Sequence, residues 1–596
     1  MLQTKTGLLA KRFPTCPPEV ALPSLSEWRA SDNYLFSSRK SLRFEKNPNT
    51  TMKEKAEKIL SGKLQYFSAE WRDLGGDWNW HVNPTTGFEY DHNQHWTRFN
   101  ELSQKSGDIK FVWEASRFCF LYDIVRYDYH FELDHSDFVI GKILDWIEKN
   151  PLNCGPNYKC SQEISLRVLN WLFALNFYKH TASLTHEKWS TIIQSIYWQI
   201  KHVYENINFS RYTVRNNHAI TETMTLYLMG LMFPTMPDAK KWRKKGKKWF
   251  EQEIKFQVAD DGSFIQDSMN YHRVLIQLLT IAIAISDKNG DSFSDAVYEK
   301  AHKALNFLYQ CQDEVSGWLP NYGSNDGALF FPLSTADYRD YRPQLDALHF
   351  LLTGKKLYNE AFEDACWYLS FGKSLHAYPA LTRMNGITDF GVSGYYVIRE
   401  NRTLTFVRCG NWNCKQGCTD ELHMDVWCNG QNVLSDGGSY SYNTTSELVR
   451  YFSGTEAHNT VMVGKNDQML KGPRFVWMYP PTVERATVYE TEDEYVFEGS
   501  VLAFKQLGKN IRHSRIIRKK KGANCWEVKD MVGNSPINDM RQLWHTDAAD
   551  ITFESTSSTS KTSDALHSDY YGVKTVCKQI EYKFEKEIIT KITIAL

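Results

Sequence analysis

The chain has 596 residues, with 70 Lys+Arg against 70 Asp+Glu and 42% hydrophobic residues. That is room for about four domain-sized units at roughly 150 residues each, or fewer large ones, with ample material for a core. A formal charge of zero excludes a general nucleic-acid or anionic-membrane binder, which carries a basic excess, and leaves room for a local basic groove.

Aromatic residues make up 14% of the chain, with 19 Trp and 32 Tyr. Most suit large cores, and some suit sugar binding, where a flat ring stacks on a pyranose face. The 12 Cys are scattered. Cys409, Cys414, Cys418 and Cys428 cluster without a paired C-x2-C zinc pattern, so free thiols in a reducing compartment are expected. No apolar h-region follows Met1-Leu2-Gln3-Thr4-Lys5, so no signal peptide is read. The expected location is cytoplasmic, or periplasmic if the true N-terminus differs. No run approaches the roughly 20 apolar residues of a membrane helix, so no membrane span is expected. The oligomeric state is not legible.

In chain order, residues 1–50 read as an N-terminal extension and 51–380 as a helical domain. Leu166, Leu169, Trp171, Leu172 and Leu175 recur at helical spacing. So do Leu226, Met229, Met232 and Phe233, stopped by Pro234. Leu275, Leu278, Leu279, Ile281 and Ile283 form another apolar stretch, ended by Asn289-Gly290. Turns rich in Gly, Asn and Asp separate them, which predicts antiparallel helical hairpins packed in layers. Over 381–596 the pattern becomes short β-branched and aromatic runs, such as Tyr395–Ile398, Leu404–Arg408, Thr487–Tyr489, Tyr495–Phe497 and Ile580–Phe584. Many short strands predict a sandwich. Ser555–Ser563 is Ser/Thr-rich and predicts an exposed loop. There is no fixed-period repeat.

Two polar clusters stand out. In the strand region, His423, Asp436 and His458 offer two imidazoles and a carboxylate, a workable ligand set for a divalent ion. Glu421, His423 and Asp425 would share one face of a strand, because strand side chains alternate. Each member also has a plain structural reading: a polar strand face, a turn Asp before Gly437-Gly438, and a buried His. In the helical region, Asn216-Asn217-His218 opens a helix. One Asn suits an N-cap, and the donor-rich end favours an anion such as a carboxylate. His218 and Glu222 are four apart on one face. Tyr271 and His272 follow the Asp260–Phe264 turn, and Asn325-Asp326 lie in a Gly-rich loop.

Taken in order, these segments resemble the heparinase II/III-like polysaccharide lyases from about residue 65 to 595. The match includes Trp113–Arg117, Glu163 with Arg167 and Trp171, Asn216–His218 with Glu222, Gly262–Phe264 with Tyr271-His272, and Asn325-Asp326. It continues through His423–Asp425, Asp436–Gly438 and His458–Thr460. The resemblance implies an incomplete α/α toroid followed by an antiparallel β-sandwich. It implies β-elimination of an acidic, uronate-containing polysaccharide. Asn217 and His218 match positions that neutralise the uronate carboxylate, which is needed because the proton removed lies α to it. Tyr271 matches the proton-transferring Tyr, which is the acid and in some members also the base. Asn216, Glu222, His272, Asn325 and Asp326 fall among the substrate-binding positions. His423, Asp436 and His458 match metal ligands, most simply for Zn²⁺, with Ca²⁺ or Mn²⁺ as alternatives.

One departure is visible. Several active members carry His where this chain has Glu421. A carboxylate there would repel a uronate if ionised, or act as a base if its pKa were raised. An acidic residue at that position is similar to a branch found with surface-polysaccharide biosynthesis genes. An alternative is therefore a weakly active or non-catalytic polysaccharide-binding or assembly protein. A toroidal glycoside hydrolase using Glu222 and Asp326 is a third reading, but it leaves the two-His-one-Asp set without a role.

Overall fold

The computed structural model describes residues 12–33, 36–100, 103–369, 376–410 and 417–595. Helices run from Leu25–Ala30 to Glu363–Leu369, and the strands of the C-terminal part begin at Gly386–Phe390. Four helices position the site: α1 (Ser161–Phe177), α2 (Asn217–Met232), α3 (Ala239–Gln257) and α4 (Met269–Lys288). Every residue of α1 is buried, so it forms the centre of the helical domain and not an amphipathic wall. The segment expected to be an N-terminal extension is part of that core, with Leu25, Trp28, Phe36 and Leu42 packed into it.

α2 and α3 form a close hairpin. A Cβ added at Gly230 would fall 2.3 Å from the Ala239 carbonyl oxygen, and one at Gly246 would fall 2.4 Å from the Tyr227 nitrogen. These two glycines let the backbones approach, and they fix which face of α3 remains outside. α4 begins at the N-cap Ser268, whose side chain accepts the Tyr271 N–H. By length and composition α4 is the one helix among the described residues apolar enough to cross a membrane, but 94% of that window is buried inside the fold. It is a core helix.

Not all of the first half is helical. Lys63–Tyr66 and Glu70–Asp73 pair as an antiparallel hairpin, and Trp78 and Trp80 are buried in the irregular chain that follows. The helical periodicity of the neighbouring segments hides such short elements.

Among the described residues the C-terminal part contains antiparallel sheets of five, six and four strands and a two-stranded ribbon, Leu470–Lys471 with Trp477–Met478. The five-stranded sheet comprises β1 (Gly386–Phe390), β2 (Tyr395–Glu400), β3 (Thr403–Arg408), β4 (Met424–Cys428) and β5 (Gln431–Leu434). Its central strands are buried on both faces. Tyr395, Val397, Leu404 and Phe406 join the helical core, whereas Tyr396 and Val407 join the core shared with the outer strands. This sheet is therefore the seam between toroid and sandwich. The Ser/Thr-rich stretch expected as an exposed loop belongs mostly to strands, Ile551–Ser555 and Ser560–His567, joined by a short turn. Thr and alternating exposure suit a solvent-facing strand as well as a loop.

Candidate active site and metal centre

On the helical side the candidate site centres on Tyr271 in the first turn of α4. Its hydroxyl lies 2.9 Å from that of Tyr442, which comes from the sandwich. It also faces the Asp326 carboxylate, which pairs with Lys110 Nζ at 2.5 Å. Burial, with the Asp326 charge and Tyr442 beside it, raises the Tyr271 pKa well above its ordinary value, so the hydroxyl is protonated at neutral pH. Burial would raise Asp326 too, but Lys110 outweighs it and keeps the carboxylate ionised. Lys110 is held cationic against its own burial by the same pairing. Behind them Arg117 grips Glu163 with two hydrogen bonds of 2.8 Å and Glu114 with one of 2.6 Å.

Asn216 is the N-cap of α2, as its residue type predicts, and its side chain accepts the His218 N–H at 3.0 Å. His218 is half-buried, with Nδ1 at 3.8 Å from the Cys160 thiol. Asn217 differs from expectation. It is 1% exposed; its amide donates to Gln266 at 2.7 Å and accepts from Gln162. It holds the helix start in place and does not present its amide to a substrate. Glu222 is buried and accepts from Ser210 at 2.7 Å, and burial raises it to about 8. His272 is also removed from the expected contact. Its ring is buried against Phe307 at 5.1 Å, and burial lowers it to about 3. Asn325 Oδ1 is used up within its loop, accepting from Gly327 N–H and the Tyr338 hydroxyl.

The sandwich wall holds the second cluster. Glu421, His423 and Asp425 do not share a strand face, because β4 begins only at Met424 and Leu422 has φ 64°, which breaks the alternation. Arg515 clamps this turn, donating to the Leu422 and Asn459 carbonyls while paired with Asp530. Glu421 is buried, accepts the Gly410 N–H at 3.0 Å, and sits 3.9 Å from Arg408. Burial pushes it up to about 7, against the pull of Arg408. From that place in the interior its carboxylate holds the Gly410 N–H.

His423, Asp436 and His458 do converge. Their potential ligand atoms lie within 4.8 Å of one another. Asp436 Oδ2 is 3.0 Å from His458 Nδ1 and 3.7 Å from His423 Nε2, values that bracket the donor separation of about 3.4 Å in a tetrahedral zinc site. Nε2 of both imidazoles is buried without a hydrogen-bond partner. Burial also raises the nearby carboxyls Asp420, Glu421 and Asp425, to about 6, 7 and 8. A divalent cation fits the orphaned His423 Nε2 and this excess of buried acid; at His458 it would replace the proton on the Nδ1 that now pairs with Asp436, a pairing that, against burial, raises this imidazole well above its ordinary value. One contact modifies the fit. Asn459 N–H donates to His423 Nδ1 at 3.0 Å, which leaves a neutral ring's proton on Nε2. Loading there must displace that proton. Cys418 and Asp420 form a second possible set that shares His458, but burial raises the Cys418 thiol to about 11, which disfavours a thiolate ligand.

The two clusters are joined by the chain between Asp436 and Asn443. Gly438 N–H donates to Asp436 at 2.8 Å, Tyr442 N–H donates to the Tyr571 hydroxyl at 2.8 Å, and Asn443 Nδ2 reaches the Gly107 carbonyl at 2.8 Å. The structure thus unites Tyr271 and Asp326 with Tyr442 and Lys110, two residues that motif reading missed, and places His218 at the start of α2 beside Cys160. Lys110 lies just before the Trp113–Arg117 motif, and Tyr442 lies in the loop that Ser435–Gly438 opens; those neighbours were their only signal.

Comparison with known proteins follows the same division. The heparinase II/III N-terminus family model matches residues 29–320, and the heparinase II/III-like C-terminal model matches 382–563. A heparin-sulfate lyase of Bacteroides thetaiotaomicron is 24% identical over 349 residues, 54% of this chain and 47% of that protein. One of Bacteroides stercoris is 23% identical over 429 residues, 66% of this chain and 57% of that protein. The matches thus span about half the length of these relatives. A crystal structure of heparinase III superposes with a TM-score of 0.66 at 15% identity, covering 96% of this chain and 88% of that one. A heparan sulfate lyase from Pedobacter heparinus gives 0.54 at 15%, covering 96% and 87%. These likenesses show the fold, an α/α toroid followed by an antiparallel β-sandwich. Together the two family models cover most of the sequence, and the chain belongs to the heparinase II/III-like family.

Proposed function

We propose that the chain is a polysaccharide lyase that cleaves an acidic, uronate-containing polysaccharide by β-elimination. The observation that carries this reading is the hydroxyl pair of Tyr271 and Tyr442 beside the Lys110–Asp326 ion pair, at the meeting of toroid and sandwich. Elimination passes the proton α to the uronate carboxylate to a base, for which the half-buried His218 imidazole is the candidate, breaks the bond to the leaving glycosidic oxygen, and leaves a 4,5-double bond. The leaving oxygen needs a proton, and Tyr271, protonated at neutral pH, is the donor. The developing enolate-like charge needs positive charge or hydrogen-bond donors close by. Lys110 and His218 supply these, and the sealed Asn217 holds His218 at the helix start. The curated relatives are named heparin-sulfate lyases, which fits a uronate substrate class.

His423, Asp436 and His458 would hold a divalent ion, Zn²⁺ by donor type, with Ca²⁺ or Mn²⁺ as alternatives. When bound, the ion neutralises the buried carboxyls and braces the Asp436–Asn443 loop that carries Tyr442. The test is a panel of acidic polysaccharides incubated with the native chain and with Tyr271→Phe. New unsaturated uronate ends from the native chain alone support the reading. Equal turnover by Tyr271→Phe contradicts the assigned proton donor.

A further inference from the structure

The outer face of α3 is strongly basic in a chain whose formal charge is zero. Its 19 residues contain eight Lys or Arg against two Glu. A run of cations on a helix is commonly a solvated face, and part of this one is neutralised in place. Asp291 takes Arg243 and Lys247, and Asp238 takes Lys201 and Lys241. Lys240, Lys244 and Lys248 are different. They recur every fourth residue on one exposed stripe and make no ion pair among the described residues. With Arg243, Lys247 and Asp291 they line a groove of about 560 Å³.

A second feature adjoins the stripe. Lys241 and Lys245 lie over the Tyr204 ring, and Arg211 lies over Trp249, at 4.2, 5.4 and 4.7 Å. The chain then enters a π-helical segment, Phe209–Val214, with Phe209 56% and Tyr212 70% exposed. Arg215 stacks on Phe256, itself 44% exposed at the end of α3. This segment runs directly into Asn216 and His218, and Gln257 at the end of α3 donates to the Asn216 carbonyl at 3.0 Å. α3 is about 28 Å long at 1.5 Å per residue; the lysine stripe covers about 12 Å of it, and the last two turns with the Phe209–Arg215 segment span the rest of the way to the site's helix start.

We propose that the exposed face of α3 and the Phe209–Arg215 segment form an accessory binding track for an anionic polysaccharide, which leads the polymer toward the cleft. Unpaired cations on one face of α3, with exposed rings at its far end, suit a polymer with both carboxylate or sulfate groups and pyranose faces. A lipid headgroup layer or a nucleic acid would use the charges, but the first would leave the groove unfilled and the second needs no pyranose stacking. The inference rests on the acidic-polysaccharide reading above.

The test is equilibrium binding of a heparan sulfate polymer to Tyr271→Phe protein, with and without Lys240→Gln, Lys244→Gln and Lys248→Gln together. The triple change should weaken polymer binding about tenfold or more at low salt and flatten its salt dependence. Lys→Arg at the same positions should retain binding. In otherwise native protein, the triple Gln variant should turn over a short oligosaccharide at the native rate. If the native chain cleaves the polymer and the triple variant binds it equally tightly, the track is refuted and the lyase reading stands. If the polymer is held through these lysines but never cleaved, the lyase reading fails and the track stands. Tighter binding to duplex DNA or to phosphatidylserine vesicles, lost in the same variant, overturns the polysaccharide assignment.

Discussion

Tyr271 and Tyr442 are 171 positions apart in the chain, yet their hydroxyls are within hydrogen-bond distance. Tyr271→Phe removes one hydroxyl and little packing, so the loss should appear in kcat, by roughly 10²–10⁴-fold. Tyr442→Phe removes only a neutral hydrogen bond to that hydroxyl and should cost about 2–10-fold. Steady-state kinetics of the two variants separates donor from support. Glu421→Gln keeps an acceptor for the Gly410 N–H, so activity should stay within about fivefold of native; a much larger loss, with the limb of the pH profile near 7 abolished, would make Glu421 the base. Glu222 offers a stability test. Burial raises it from 4.5 to about 8, so the folded state disfavours its ionisation. Below pH 4.5 both states are protonated and no penalty exists; as pH rises to 8 the unfolded state releases its proton first and stability falls. Glu222→Gln should therefore stabilise the fold at pH 7, by at most about 3 kcal/mol, and lose that advantage in acid. Denaturant melts at the two pH values check this. Residue types and the family resemblance together singled out Tyr271, Asp326 and the two-His-one-Asp set as candidates. They did not reveal that Asn217, His272 and Asn325 spend their polar atoms within the fold, because burial is a property of the assembled structure.

At the scale of elements, the Asp436–Asn443 loop runs from the His423–Asp436–His458 cluster to the Tyr271–Tyr442 pair. Asp436 sits among the imidazoles, and Tyr442 reaches Tyr271. About one divalent ion per chain is expected by elemental analysis. Stripping it should lower the melting temperature and kcat together, and His458→Ala should do the same. Unchanged melting and turnover after complete chelation would remove the ion from the account. The start of α2 was legible because caps are local and Asn216 acts as its N-cap; the equivalent cap of α4, Ser268, was seen only in the structure. The placing of Glu421 on a strand face was wrong because a single left-handed residue, Leu422, ends the two-residue periodicity before β4 begins.

Across the whole molecule, the change from helix to strand was legible near residue 380, since the two periodicities differ. The seam was not. Its five-stranded sheet is buried on both sides, so its sequence gives no alternation to say which face meets the toroid. That seam carries the central claim, elimination at a cleft built from both domains. The most direct measurement is the mass of the products formed from a defined acidic oligosaccharide in heavy-oxygen water. Elimination predicts two products whose masses sum to that of the substrate, with no oxygen taken from water and a new double bond on one of them. Products that together gain one water and carry its heavy oxygen would mean hydrolysis, and would contradict the account.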